Sequence, residues 1–161
     1  MNEVNDQPTS DRELVFTRIF QAPCELVFEA WTNPNHVVHW WGPTGFTNTN
    51  LEMSVKPGGV WRFIMHGPDG TDYPNKIVFK EVVKPRLLTF EHGWDVEDLK
   101  KDPRTFEVSV HFEARGNTTA LTMKMIFKSK AVKDDVVEKY GAIEGNKQTM
   151  DRLEVYLKTM N

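Results

Sequence analysis

The chain has 161 residues, a formal net charge of −3 and a pI of about 6.0. This balance argues against a nucleic-acid-binding protein, which usually presents a basic face. The single cysteine, Cys24, excludes an internal disulfide and a multi-thiolate zinc site. The apolar runs are too short to span a membrane, and the polar N-terminus lacks the order of a signal peptide. We therefore expect one cytoplasmic domain, residues 12–161, behind a flexible tail of residues 1–11, with no cofactor and no metal.

The first third of the chain predicts one strand followed by two short helices. Residues 14–20 are apolar enough for a strand, and residues 25–31 carry apolar side chains at helical spacing. Asn33-Pro34 supplies a helix N-cap with proline at the first helical position. This second helix is expected to run to about Trp41, where Gly42-Pro43 ends it.

From Gly45 onward, alternating apolar residues predict six further strands. Glycine- and proline-rich turns such as Pro57-Gly58-Gly59 separate them. The clearest hairpin pairs residues 106–112 with residues 121–127, each with one apolar and one polar face. Short loops between consecutive strands favour antiparallel neighbours.

After Ala131 the apolar spacing returns to three and four residues, which predicts one long helix. Its apolar stripe contains Val136, Tyr140, Ile143, Met150, Leu153 and Leu157. Gly141 and Gly145 interrupt it, which indicates either a bend or a close approach to a neighbouring element. The predicted fold class is α+β: a curved antiparallel sheet wrapped around a long C-terminal helix, with two short helices after the first strand.

Several sequence blocks carry a resemblance to a known family. They are Ala22-Pro23, residues 27–34, Trp40-Trp41-Gly42-Pro43, Lys56-Pro57-Gly58-Gly59, Gly67-Pro68-Asp69-Gly70, Pro85-Arg86-Leu87 and Asp151-Arg152-Leu153. Their order and spacing resemble the family named for the activator of the heat shock protein 90 ATPase, within the START-like, Bet v-like (SRPBCC) superfamily. The resemblance covers about residues 12–158.

The resemblance implies a helix-grip fold with a deep cavity between the sheet and the C-terminal helix. Superfamily relatives bind lipids, polyketides or hormones there, and a few catalyse cyclisation or hydration. Two residues depart from the family pattern: Ser54 replaces an expected aspartate, and Asn146 replaces a frequent tryptophan. The second departure is expected to reshape or enlarge one end of the cavity.

Inward-facing aromatic and methionine residues are the candidate cavity lining. Methionine is flexible and polarisable, so it adapts to ligands of different shape. The alternative is simple core packing of the same side chains. The candidates are Trp41, Trp61, Phe63, Met65, Phe79, Phe90, Phe112, Met123, Met125, Ile143 and Met150.

Arg18 and His92 are the polar candidates for the same cavity. If Leu14 and Phe16 face the core, alternation places Arg18 there too, where its charge demands a carboxylate or a bound anion. The opposite phase places Arg18 in water. His92 is expected to face inward with Phe90 and to hydrogen-bond a ligand, or else to be a core or surface residue.

Two other sequence features have competing interpretations. Trp40 and Trp41 point in different directions on a helix, so one is expected in the core and the other at a lid or partner contact. His36 and His39 are three residues apart, but no third ligand is evident, so a metal site is not favoured.

The sequence therefore favours a protein that binds a small hydrophobic molecule in an internal cavity. One alternative is a module that contacts the chaperone, or a second copy of the chain, through an apolar patch at Trp40 and Trp41. The other is a cyclase or hydratase that uses Arg18 or His92. An enzyme is the less favoured choice because only these two titratable groups converge.

Overall fold

Seven antiparallel strands form one sheet in the computed structural model, which describes residues 10–160. Their order across the sheet is β1-β7-β6-β5-β4-β3-β2, so β1 pairs with the last strand and the others follow one another. The strands are β1 (Glu13–Phe20), β2 (Thr47–Met53), β3 (Val60–His66), β4 (Asp72–Val83), β5 (Leu87–Trp94), β6 (Phe106–Arg115) and β7 (Thr118–Ile126). The predicted strand count and the α+β class are both confirmed.

Two short helices follow β1 and two longer ones follow β7. They are α1 (Cys24–Thr32), α2 (Pro34–Val37), α3 (Lys130–Tyr140) and α4 (Ala142–Leu157). The Asn33 side chain accepts a hydrogen bond from the backbone N–H of Asn35, as the predicted N-cap requires. The α-helical part of α2 ends at Val37, and hydrogen-bonded turns carry the chain on to Trp41.

The single C-terminal helix predicted after Ala131 is in fact divided. Gly141 has a left-handed backbone with φ of +58°, and its N–H donates to the carbonyl of Val137. A glycine in this conformation ends α3 and begins α4. The predicted apolar stripe is therefore interrupted: Tyr140 and Ile143 are exposed, whereas Leu153 is fully buried.

The inner face of the sheet is the face that α4 covers. On β1 the residue that identifies this face is Arg18, because its side chain reaches Asp151 of α4. Side chains alternate along a strand, so the inner residues of β1 are Leu14, Phe16, Arg18 and Phe20. Of the two phases that the sequence left open for Arg18, the structure shows the inward one. Register shifts between Asn50 and Glu52 on β2, and between Phe79 and Glu81 on β4, mark bulges. Bulges bend the strand that contains them and help to curve a sheet.

The turn before β3 requires glycine for a steric reason. A Cβ on Gly59 would lie 1.9 Å from the Ser54 carbonyl oxygen, so no side chain fits there. Gly58 has φ of +80° but open space around it. The turn is held against β4, because Gly58 donates to the Phe79 carbonyl and Phe79 donates to that of Gly59.

Residues 1–9 of the predicted tail lie outside the described residues, whereas Ser10 and Asp11 are exposed. No helix among residues 10–160 is both long enough and apolar enough to cross a membrane.

Candidate functional site

The centre of the inner sheet face is a packed core. Three side chains of α4, namely Met150, Leu153 and Leu157, are buried against it. Most of the predicted cavity residues lie in this core and are almost fully buried: Trp41, Trp61, Phe63, Phe79, Phe90, Phe112, Met123, Met125 and Met150. They belong to one apolar cluster, as expected if core packing is a large part of their role.

Trp40 and Trp41 are both buried, which corrects the expectation that one of them forms a lid or partner contact. The turns after α2 direct both rings inward, with their centroids 5.5 Å apart. The Trp40 indole donates to the carbonyl of Ala30 at 3.1 Å. Trp41 packs 4.9 Å from Trp61 and 6.0 Å from Phe63 on β3.

Arg152 holds this tryptophan segment against α4. Its Nη1 donates to three backbone carbonyls, those of Trp41 at 3.1 Å, Gly42 at 2.8 Å and Pro43 at 3.0 Å. Burial lowers the pKa of the guanidinium from its ordinary value. In the sequence Arg152 is recognisable only as part of the Asp151-Arg152-Leu153 motif, because the carbonyls that it binds lie far away along the chain.

Arg18 faces inward but finds its anionic partners within the protein. Its Nη2 lies 2.7 Å from a carboxylate oxygen of Asp151, and its Nη1 lies 3.6 Å from Glu154. Both carboxylates belong to α4. The guanidinium therefore links β1 to α4 and is not free to neutralise a ligand.

One end of the inner face is less completely covered. Four large side chains there, Met65, Tyr73, Trp94 and Phe106, are only half-buried, and His92 lies among them. We call these five residues the open end. Tyr73 and Trp94 have ring centroids 6.2 Å apart, and the Arg104 guanidinium lies 5.5 Å from the Trp94 ring.

Helix α3 packs loosely by comparison with α4. None of its residues is buried, although Val132, Val136 and Val137 are partly buried against the core. The side chain of Ile143, at the start of α4, is 45% exposed, so this predicted cavity residue does not join the others.

His92 is the polar group of the open end. Its Nε2 lies 2.8 Å from Oδ1 of Asn75, whose amide group donates to the Tyr73 carbonyl. This second bond orients the amide, so Nε2 carries the proton that Asn75 accepts. The imidazole is surrounded by aromatic rings, with Phe106 at 4.9 Å and Phe63 at 6.0 Å.

Burial lowers the pKa of His92 from 6.5 to about 4. The imidazole is therefore neutral at pH 7. Among the described residues, its Nδ1 has no hydrogen-bond partner, and in this tautomer that nitrogen is an acceptor.

Four buried side-chain polar atoms lack a partner among residues 10–160. They are Nε1 of Trp31, Oδ1 of Asn48, Oγ1 of Thr105 and Oδ1 of Asn146. The Asn146 amide nitrogen lies 3.4 Å from the sulfur of Met123 on β7, which places the side chain between α4 and the sheet. Unpartnered buried polar atoms are uncommon and call for an explanation.

A surface groove of about 240 Å³ lies on the sheet, and none of the predicted cavity residues lines it. Its walls include two ion pairs, Lys80 with Glu107 and Lys100 with Glu91. The groove is largely charged, and Phe106 of the open end is also one of its lining residues.

The paired histidines of α2 and the following turn contact a tyrosine. Nδ1 of His36 lies 2.7 Å from the Tyr156 hydroxyl, and the His39 ring stacks on Tyr156 at 5.5 Å. No cluster of three or more His, Cys, Asp or Glu side chains suited to a metal ion occurs within the described part of the chain.

Solved structures with the same fold come from several bacteria. The solution structure of a protein from Arthrobacter aurescens matches with a TM-score of 0.86 at 24% identity, over 96% of this chain and 90% of that one. A crystal structure from Mycobacterium smegmatis matches at 0.82 and 23% identity, over 94% of each chain. The AHSA1 protein from Silicibacter pomeroyi matches at 0.74 and 20% identity, over 92% of this chain and 99% of that one.

None of the curated proteins is significantly similar in sequence. The family model for "Activator of Hsp90 ATPase homolog 1-like protein" matches residues 21–158, which include every helix and every strand except β1. The chain belongs to this family.

Proposed function

We propose that the protein binds a small hydrophobic molecule between the inner sheet face and the C-terminal helices, at the open end. The observation that carries the proposal is the half-burial of Met65, Tyr73, Trp94 and Phe106 on a face whose centre is almost fully buried. Ligand sites in proteins are lined mainly by apolar and aromatic side chains with a few polar groups.

Binding energy would come mainly from removing this apolar surface from water, at about 25 cal/mol per Å². Met65 adds a flexible, polarisable wall, and Trp94 adds a broad ring face. His92 supplies one polar contact that would orient the ligand.

Helix α3 would form the adjustable wall of the site. It has no buried residue and is joined to α4 at Gly141, a position with left-handed backbone. A loosely packed helix with a glycine at its end can move at less cost than α4, which is anchored by Arg152 and Arg18. We propose that α3 moves to admit the ligand.

The two alternatives have less support. A module that contacts the chaperone would need an exposed apolar patch at Trp40 and Trp41. Both side chains are buried. A cyclase or hydratase would use Arg18 or His92 in catalysis, but Arg18 is paired with Asp151. We therefore place ligand binding first.

The proposal is tested with a panel of fatty acids, flavonoids and polyketide-like aromatics, monitored by tryptophan fluorescence. Two variants on β3 provide the contrast, because Met65 and Ile64 are adjacent, both half-buried and on opposite faces. Met65→Gln should weaken binding about tenfold, equivalent to about 1.4 kcal/mol. Ile64→Gln should leave the affinity unchanged. If no compound binds, or if both variants weaken binding equally, the proposal is wrong.

A further inference from the structure

Three arginines of the inner face and of the rim of the open end are already engaged. Arg18 is paired with Asp151, and Arg152 donates to three backbone carbonyls. At the rim, Arg104 lies over Trp94 but is held by Asp102, with an Nη2 to Oδ2 distance of 2.6 Å. A ligand entering the open end would therefore find no uncommitted cation in these three residues.

The polar atoms without partners include acceptors as well as one N–H donor, Nε1 of Trp31. Nδ1 of His92 is an acceptor because Nε2 donates to Asn75. Oδ1 of Asn146, on α4, is also an acceptor and is buried. A ligand that satisfies either atom must bring a hydrogen-bond donor.

We infer that the site selects an uncharged molecule that carries a hydroxyl or N–H donor, with that donor directed at Nδ1 of His92. The inference rests on the proposed function and specifies its ligand class. It also revises the expectation that Arg18 anchors an anionic ligand.

A carboxylate is disfavoured for two physical reasons. Its oxygens would face the lone pair of Nδ1, which is an unfavourable acceptor–acceptor contact. It would also lose hydration in an aromatic environment without a counter-ion, and an unpaired buried charge is costly. An alcohol, a phenol or an amide avoids both penalties.

Three naphthalene derivatives test the inference on the wild-type protein at pH 7: 2-naphthol, 2-methoxynaphthalene and 2-naphthoate. They share one apolar body and differ in being a neutral donor, a neutral non-donor and an anion. Titrations followed through the indole N–H resonances of the five tryptophans give the three affinities. We expect 2-naphthol to bind about tenfold more tightly than either of the others, because only it satisfies the free acceptor.

The outcomes separate this inference from the proposed function. Equal or tighter binding of 2-naphthoate overturns the inference and leaves ligand binding intact. Equal binding of 2-methoxynaphthalene overturns the role of the donor. If none of the three perturbs any indole resonance, the proposed function fails and the inference fails with it.

Two histidine variants test whether His92 causes the preference for the hydrogen-bond donor. His92→Leu should abolish the preference for 2-naphthol over 2-methoxynaphthalene. His111→Leu, at an exposed position on β6, should preserve it. A preference that survives His92→Leu overturns the assignment to His92, and the wild-type comparison stands whether or not this variant folds.

Discussion

At the residue scale, the burial of His92 makes the free energy of unfolding depend on pH. Its pKa is about 4 in the folded protein, against an ordinary value of 6.5. Between these two values the unfolded chain binds a proton that the folded chain does not. The free energy of unfolding should therefore decrease as pH falls through this window, by at most about 3 kcal/mol. Above the window His92 contributes no pH dependence.

Urea denaturation at a series of pH values from 7 to 4 measures this effect. His92→Leu should remove much of the slope, whereas His111→Leu, at an exposed site, should retain it. A direct NMR titration of the His92 ring that returns a pKa near 6.5 would contradict the account.

Asn146 is expected to lower the free energy of unfolding, because it places a polar side chain in the interior. Its Oδ1 is buried without a hydrogen-bond partner among the described residues. Replacing it with leucine removes the desolvated acceptor, so Asn146→Leu should raise the free energy of unfolding by about 1 kcal/mol. Lys147→Leu, at the exposed neighbouring position, should change it by less than about 0.5 kcal/mol. Thermal denaturation of both variants gives the comparison, and a destabilised Asn146→Leu would refute this explanation.

The sequence could predict the direction of single side chains better than their partners. Alternation on β1 predicted that Arg18 faces inward if Leu14 and Phe16 do, and the structure confirms that phase. Its partner Asp151 lies near the other end of the chain, so local spacing could not identify the ion pair. The same limit applies to His92, whose bond to Asn75 depends on the pairing of β4 with β5.

At the element scale, Arg152 joins α4 to the segment after α2. Its guanidinium donates to the carbonyls of Trp41, Gly42 and Pro43. Arg152→Met would leave these carbonyls without their donor, and we expect a loss of about 3 kcal/mol in the free energy of unfolding. Arg115→Met removes an exposed arginine paired with Glu113 and should cost less than about 1 kcal/mol. Similar losses for the two variants, measured by chemical denaturation, would show that the Arg152 contacts do not stabilise the fold.

The two glycines before β3 should differ in their tolerance of alanine. Gly58→Ala places a Cβ in open space at positive φ and should cost about 1 kcal/mol. Gly59→Ala places its Cβ against the Ser54 carbonyl oxygen, which only a backbone shift relieves. We expect Gly59→Ala to be clearly the more destabilising in denaturant titrations. The reverse order would mean that this turn rearranges more easily than its contacts indicate.

Element boundaries were predictable where a local signal fixes them. Asn33-Pro34 specified the start of α2 through a cap that the structure confirms. One continuous helix was predicted, with a bend at Gly141 and Gly145 as one interpretation, because an apolar spacing of three and four residues continues across Gly141. That spacing reports helical residues on both sides and does not report the backbone angle of the glycine between them.

At the scale of the whole molecule, the strand order follows from short connections between consecutive alternating segments. The open end was not predictable in the same way. Whether Phe63 or Met65 stays accessible depends on how far α3 and α4 extend over the sheet, and this is a property of the assembled fold. Most predicted cavity residues are almost fully buried, whereas Tyr73, Trp94 and Phe106, which are half-buried, were not among the candidates.

The most direct test of the account is to locate a bound molecule by intermolecular NOEs. With 2-naphthol as the probe and the methionine methyl groups labelled, we predict contacts to the Met65 methyl group and to the Trp94 and Phe106 rings. Met65 lies on β3 beside Gly42, with its methyl carbon 2.9 Å from where a Cβ on that glycine would be, so its resonance reports on the inner face. Contacts confined to residues of the opposite face, such as Ile64, would contradict the central claim, as would the absence of any contact at saturating probe.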